Sequence, residues 1–250
     1  MTYRQHGAKH GRSGRYPAAP EGRTIYVVGD IHGRLDLLKS IHGSIDDDRR
    51  NVGNSQTVEI YLGDYIDRGP QSAEVLSALI ARANDAYTVF LRGNHEQLLL
   101  DFLEGQDSLL QWRPIGVVPT LLSYGLPADL LAGDVPDDRV RSALAQRIPR
   151  EHIDFLVDTG SYCAVESYLM VHAGIRPGVS LENQSIDDLS QIRNEFLEYE
   201  GDLGYIVVHG HTPVLEPDFR PNRINIDTGA FATNRMTCLR IGEDGPSVLA

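Results

Sequence analysis

Residues 57–70 read TVEIYLGDYIDRGP. The first six mix β-branched, aromatic and apolar residues, which suits a strand. Directly after them come Gly63, Asp64, Asp67, Arg68 and Gly69. Taken alone, that polar segment reads as a surface turn. The neighbouring sequence argues for more. Residues 24–28 (TIYVV) run into Gly29-Asp30-Ile31-His32-Gly33, and residues 87–91 (YTVFL) run into Arg92-Gly93-Asn94-His95-Glu96. Between these strands, residues 34–43 place Leu35, Leu38 and Ile41 at helical spacing. Residues 71–83 do the same with Val75, Leu76, Leu79 and Ile80. The order βαβαβ predicts an α/β fold with a parallel sheet and right-handed crossovers. In open α/β sheets ligands bind at the carboxyl edge of the strands. The polar residues of all three segments fall on that edge.

Residues 97–160 read as helical pieces broken by Pro114, Pro119, Pro127 and Pro136. They are expected to form a helical cap insertion over the sheet edge. Strand-like runs return at 161–165, 168–171, 205–208, 223–226 and 236–241, with a hairpin turn near Glu166-Ser167. They predict a second sheet, antiparallel or mixed. Residues 1–22 are basic and rich in glycine and proline, and are expected to be a disordered tail before a single domain over 23–250.

The chain has 250 residues, enough for one large α/β core. Its formal net charge of −12 argues against a nucleic-acid partner, which calls for a basic face. Only Lys9 and Lys39 are lysines; the other basic residues are arginines, which suit bidentate phosphate contacts but also follow from codon bias. Cys163 and Cys238 form no CxxC pair, so zinc-finger and thioredoxin chemistry is excluded. Two isolated thiols suit a reducing, cytoplasmic setting. No apolar run reaches the roughly 18 residues of a membrane span.

Two further segments join the three at the sheet edge: His172-Ala173-Gly174 and His209-Gly210-His211-Thr212-Pro213, each after a strand-like run. Together the five offer aspartate, histidine and asparagine without thiolate. That donor set suits Mn2+, Fe or Zn2+ rather than Ca2+.

The stretches GDIHG, GDYIDRG, GNHE, HAG and GHTP, in this order, resemble the signatures of PPP-type calcineurin-like metallophosphatases. With GNHEQ and IDTGA (226–230), they are most similar to bacterial and bacteriophage-lambda serine/threonine protein phosphatases, over about residues 24–241. The resemblance implies a four-layer αββα sandwich with two divalent metal ions, Mn2+ first among the candidates. It implies that Asp30, His32 and Asp64 bind one ion, and that Asp64 bridges to a second held by Asn94, His172 and His211. His209 and His211 compete for that last place. The GHTP pattern favours His211, which leaves His209 as a packed strand-end residue or a support behind a ligand. Arg68 and Arg193 would grip the phosphate together with Asn94 and His95; the QIRNEFL segment around Arg193 lacks the family's tryptophan and glutamate. His95, paired with Asp67, would protonate the leaving oxygen, with a metal-ligand or purely orienting role as the alternatives. Glu96 reads as a helix-start residue.

The implied reaction is hydrolysis of a phosphomonoester, with a metal-bridging hydroxide attacking phosphorus in line. The implied partner is a phosphoprotein or phosphopeptide carrying phosphoserine or phosphothreonine. A symmetrical bis(5'-nucleosyl)-tetraphosphate hydrolase is the enzymatic alternative. Those relatives resemble GDLVARGP in the second segment, with alanine where this chain has Asp67. A non-catalytic binding module on the same scaffold is the alternative outside catalysis. The Asn-Gly-Gly that bacterial members of the phosphatase family often carry after a tryptophan is replaced here by Arg113-Pro114-Ile115 after Trp112, so no substrate contact carries over from that region.

Overall fold

The computed structural model describes residues 16–52, 56–133 and 135–250. In chain order its elements are β1 (Arg23–Val28), α1 (Leu35–Asn51), β2 (Gln56–Tyr61), α2 (Ser72–Asp85), β3 (Thr88–Phe90), α3 (Asn94–Glu104), α4 (Leu109–Trp112), α5 (Val118–Ser123), α6 (Asp137–Ala145), α7 (Arg150–Val157), β4 (Tyr162–Val165), β5 (Tyr168–Val171), α8 (Ile186–Gln191), α9 (Asn194–Leu197), β6 (Ile206–His209), β7 (Asp218–Arg220), β8 (Arg223–Asn225), α10 (Ala230–Thr233), β9 (Cys238–Gly242) and β10 (Gly245–Val248).

Two five-stranded mixed sheets face each other. The first has the order β10-β9-β1-β2-β3 and the second β4-β5-β6-β8-β7. In the first, β1, β2 and β3 run parallel, as the βαβαβ pattern predicts, and β9 lies antiparallel to β1. In the second, β5, β6 and β8 run parallel between antiparallel edge strands. Strand alternation builds the layers. Ile25, Val27 and Ile60 meet Tyr168, Met170 and Val208 in a core between the sheets. Tyr26, Val28 and Tyr61 turn the other way, onto Leu38, Leu76 and Leu79 of α1 and α2. Leu169, Val171 and Val207 pack under Leu189 and Phe196 of α8 and α9. The architecture is the expected four-layer αββα metallophosphoesterase sandwich.

Two features differ from the sequence reading. The run at 236–241 becomes β9 and joins the first sheet, not the second. The strands β7 (DFR) and β10 (GPSV) carry no apolar alternation that could announce them; β10 holds a proline, which its edge position tolerates. The helical insertion expected at 97–160 also packs on the main core. Leu99, Phe102, Trp112, Leu121, Val140, Leu144 and Leu156 share one buried cluster with Tyr26, Leu38 and Leu76. These helices therefore widen the outer layer on the first sheet.

Of the tail expected over 1–22, residues 1–15 lie outside the described residues. Residues 16–22 are tied to the sheets. The Tyr168 hydroxyl donates to the Pro17 carbonyl at 2.5 Å, Ala19 N–H donates to Gly242 O at 2.8 Å, and Gln56 N–H donates to Gly22 O at 2.9 Å. Among the described residues no helix is long and apolar enough to cross a membrane.

Candidate metal centre

The parallel strands of both sheets end at one place. Asp30 and His32 follow β1, Asp64, Asp67 and Arg68 follow β2, Asn94 and His95 open α3 after β3, His172 follows β5, and His211 follows β6. Backbone bonds lock these turns together. Asp64 O accepts the N–H groups of Ile31 and His32 at 3.0 and 2.8 Å, and His172 O accepts Gly210 N–H at 2.8 Å. The chain pays for this convergence in backbone conformation. His32, Asp64, Asp67, Arg68 and His211 all sit at positive φ, between 47° and 70°. Such strain persists only where the surroundings over-determine it. Close approach also demands glycine: a Cβ on Gly93 would strike the Asp64 carboxylate, and one on Gly210 would strike that of Asp30.

Two donor groups form around Asp64. One joins it to His32 and His95, the other to His172 and His211, with the donor atoms of each group within 4.8 Å of one another. His32 Nε2 lies 3.5 Å from Asp64 Oδ2, and His172 Nε2 lies 3.3 Å from Asp64 Oδ1. Their other ring nitrogens are engaged: His32 Nδ1 with Ile66 O at 2.9 Å and His172 Nδ1 with Leu62 O at 3.0 Å. Each imidazole is thus tethered at Nδ1 and presents Nε2 to Asp64. Asn94 Oδ1 lies 3.3 Å from His172 Nε2. Asp30 stands behind, its carboxylate accepting the His211 N–H at 3.1 Å.

Burial sets the charge states. It lowers His32 and His211 to about 3 and lowers His172 as well, so these rings are neutral with a lone pair free. Burial opposes ionisation of Asp64, but the positive charge that the rings of His172, His95, His32 and His211 carry once protonated in acid overcomes it and holds its pKa below the usual range. Asp30 is pushed the other way, by burial and then by the charges of Asp227 and Asp64. The Nε2 atoms of His32 and His211 are buried without a hydrogen-bond partner. Orphaned imidazole nitrogens, crowded carboxylates and an amide oxygen are the donor chemistry that divalent cations satisfy. The residues present fit a two-metal centre. His209 is in neither group; it packs edge-on against Phe196, with centroids 4.9 Å apart, and its Nδ1 lies 3.1 Å from Gly210 O.

Asp67 lies outside both groups. Its Oδ2 accepts from His95 Nδ1 and from Trp112 Nε1, both at 2.6 Å, and its Oδ1 accepts from the Thr120 hydroxyl at 2.6 Å. Burial alone would lower the His95 pKa; the Asp64 and Asp67 carboxylates reverse this and raise it. His95 also belongs to the first donor group, 3.6 Å from Asp64 Oδ2, so geometry brings it near both candidate roles. Arg68 Nη2 lies 3.3 Å from His95 Nε2. Arg193 is exposed, donates to the Thr212 hydroxyl at 3.1 Å, and its charge reaches His172 and His211.

The sequence reading gave no role to Trp112, Thr120 or Asp227 and too small a one to Glu96. Trp112 and Thr120 are the inner edge of the helical insertion and secure Asp67. The Glu96 carboxylate accepts four N–H groups, from Asp64, Tyr65, Ile66 and Gly93. Asp227 Oδ1 accepts the Gly229 N–H at 2.9 Å, while its Oδ2 is buried without a partner. Glu96 had a local signal, three residues after the glycine that starts α3. Thr120, 53 residues from Asp67, had none.

The similarities to other proteins agree with this geometry. An asymmetrical bis(5'-nucleosyl)-tetraphosphatase PrpE of Anoxybacillus flavithermus is 26% identical over 238 residues, spanning 87% of this chain and 90% of the relative. The PrpE of Bacillus thuringiensis is 27% identical over 241 residues, with the same shares. Among solved structures, a cold-active protein-tyrosine phosphatase of a Shewanella species superposes with a TM-score of 0.56 at 15% identity, covering 94% of this chain and 82% of that one. A metallophosphoesterase from Sphaerobacter thermophilus gives 0.51 at 13%, covering 90% and 86%. At such identities the structural likeness is one of fold. The family model for calcineurin-like phosphoesterases matches residues 23–238, the span that runs from β1 through every donor to β9, and the chain belongs to that family.

Proposed function

We propose that this phosphoesterase is a phosphoprotein phosphatase acting on phosphoserine and phosphothreonine. The observation that carries the reading is the 2.6 Å Asp67–His95 pair. An alkoxide leaving from serine or threonine is strongly basic and needs a proton as the bond to phosphorus breaks. Asp64 and Asp67 raise the His95 pKa, which favours the protonated form that can donate. Asp67 in turn is fixed by Trp112 and Thr120. A phosphoanhydride leaves as a phosphate, which needs no such acid.

Asp30, His32 and Asp64 would hold one divalent cation, and Asp64, Asn94, His172 and His211 a second, with Mn2+ the favoured ion. When bound, the two cations supply Lewis acidity to the phosphoryl group and to water. Arg68, beside His95, and Arg193, whose charge reaches His172 and His211, would add positive charge for a phosphate dianion. The formal charge of −12 does not oppose this, because two cations and two arginines would set the local field at the site.

The relatives named asymmetrical bis(5'-nucleosyl)-tetraphosphatase support a second reading, cleavage of a dinucleoside tetraphosphate at an off-centre anhydride. They favour it over the symmetrical hydrolase that the sequence brought to mind. The test is kcat/KM of the manganese-loaded protein on phosphoserine and phosphothreonine peptides against diadenosine tetraphosphate. Higher values on the peptides are expected. The reverse order overturns the phosphoprotein reading in favour of the second.

A further inference from the structure

Phe231 is a large apolar side chain left 39% exposed beside the metal centre. Its ring stands edge-on to His32, with centroids 5.6 Å apart and planes at 88°. The Arg68 guanidinium carbon lies over the ring, 4.7 Å from its centroid. The four-residue α10 that carries Phe231 is entered through Gly229 at φ 68° and left through Asn234 at φ 58°. It is tied down heavily for so short an element. Arg34 Nη1 donates to Ala230 O at 2.8 Å and to Asn234 Oδ1 at 2.7 Å, and the Thr233 hydroxyl donates to Thr228 O at 2.7 Å. These bonds fix the backbone from which the ring projects.

Arg68 needs such a support. Among the described residues no carboxylate pairs with it. Its own ties are Nε to Ile115 O at 3.3 Å, the contact with His95, and a backbone N–H bond to Gly116 O at 2.9 Å. A guanidinium carries several rotatable bonds, and an unpaired one in a cleft samples many poses unless a surface holds its plane. An aromatic face attracts it electrostatically without neutralising the charge or occupying its donors. A carboxylate would do both, and would repel a phosphate dianion.

We infer that Phe231 is a positioning residue that holds the Arg68 guanidinium over its ring in the pose that grips the phosphoryl group. The inference rests on the reading of Arg68 as a phosphate-binding arginine.

The test uses the full-length, manganese-loaded protein, with p-nitrophenyl phosphate as substrate and inorganic phosphate as competitive inhibitor. Phe231→Ala is expected to weaken phosphate inhibition and raise KM about tenfold, with a smaller change in kcat. Phe231→Tyr is expected to stay within about twofold of the parent, and Phe231→Leu to behave like alanine, because leucine keeps apolar contact but lacks the negative ring face. In the Arg68→Ala background, Phe231→Ala should add nothing. Manganese content should not change in any variant. Parental phosphate affinity in Phe231→Ala, equal performance of leucine and tyrosine, additivity with Arg68→Ala, or lost manganese would each overturn the inference. If Arg68→Ala itself leaves phosphate affinity intact, the phosphate role of Arg68 fails and the inference falls with it. Weakened affinity in Arg68→Ala alone overturns only the role of Phe231.

Discussion

Glu96 accepts the Asp64 N–H at 2.8 Å, so the residue shared by both metal-donor groups hangs from a buried carboxylate 32 positions away. The same carboxylate takes the N–H groups of Tyr65, Ile66 and Gly93. Asp64 sits at φ 51°, a conformation that costs about 1–3 kcal/mol. Each hydrogen bond to this carboxyl returns about 0.5–1.5 kcal/mol when it is neutral and about 1.5–3 kcal/mol when it is ionised. Burial, then the Asp64 charge, pushes the Glu96 pKa up to about 7; the backbone donors pull against that rise.

Replacing Glu96 by glutamine turns half of this acceptor into a donor that faces N–H groups. Glu96→Gln should lower the melting temperature and reduce bound manganese below two ions per chain, because the Asp64 turn relaxes. Calorimetry and elemental analysis measure both. Parental values for the two together would show that Asp64 is held by other means.

The Asp67–His95 pair separates two roles by metal content. His95→Asn is expected to lower kcat by about two orders of magnitude or more while manganese stays near two ions per chain. Lost manganese would instead make His95 a ligand, as its place beside His32 and Asp64 also allows. Chelation should abolish hydrolysis of p-nitrophenyl phosphate and Mn2+ should restore it; turnover by metal-free protein would rule out the two-metal reading.

The sequence displayed the donors because each follows its own strand within a few residues. That is short-range information: Gly29-Asp30 after TIYVV, Gly63-Asp64 after TVEIYL. What supports the donors was hidden for two physical reasons. The left-handed backbone of His32, Asp64, Asp67, Arg68 and His211 is imposed by packing; aspartate and histidine are enriched in that conformation, but neither specifies it. The partners of Asp67 come from Trp112 and Thr120, 45 and 53 residues on, and nothing local pairs them. The same limit hid the insertion's place in the fold. Its helices look amphipathic in isolation, and only the common cluster with Tyr26 and Leu38 says which face they cover.

Glu59 shows how β2 bears a charge on a buried face. It is fully buried and accepts from Arg82 Nη2 at 2.6 Å, Arg49 Nη1 at 2.8 Å and the Tyr61 hydroxyl at 2.5 Å. Removing Glu59 leaves the Tyr61 hydroxyl and the part-buried Arg49 and Arg82 without their shared acceptor. Glu59→Ala should cost about 3–5 kcal/mol in urea unfolding, well above the effect of an exposed pair such as Arg150–Asp154, which is worth about 0–1 kcal/mol. Equal, small effects for both would mean that water reaches the two arginines.

The last prediction concerns His42, which touches that network and lies far from the metal donors. Its Nε2 lies 2.9 Å from the Tyr61 oxygen, whose own hydrogen goes to Glu59. His42 therefore donates from Nε2, and the neutral ring suffices. Burial, then the charge of Arg82, lowers its pKa to about 4, against about 6.5 in an unfolded chain. Above pH 6.5 neither state binds the proton and the full stability is present. Between about 6.5 and 4 the unfolded chain takes up a proton that the folded one refuses, so stability falls as pH falls. His42→Gln keeps a donor for Tyr61 without a titrating ring. Its unfolding free energy should therefore fall less than the parent's between pH 7 and 4, both followed by urea denaturation. Parallel profiles for the two proteins would show that the folded state accepts the proton as readily as the unfolded one, and that His42 does not contribute to the acid sensitivity of this fold.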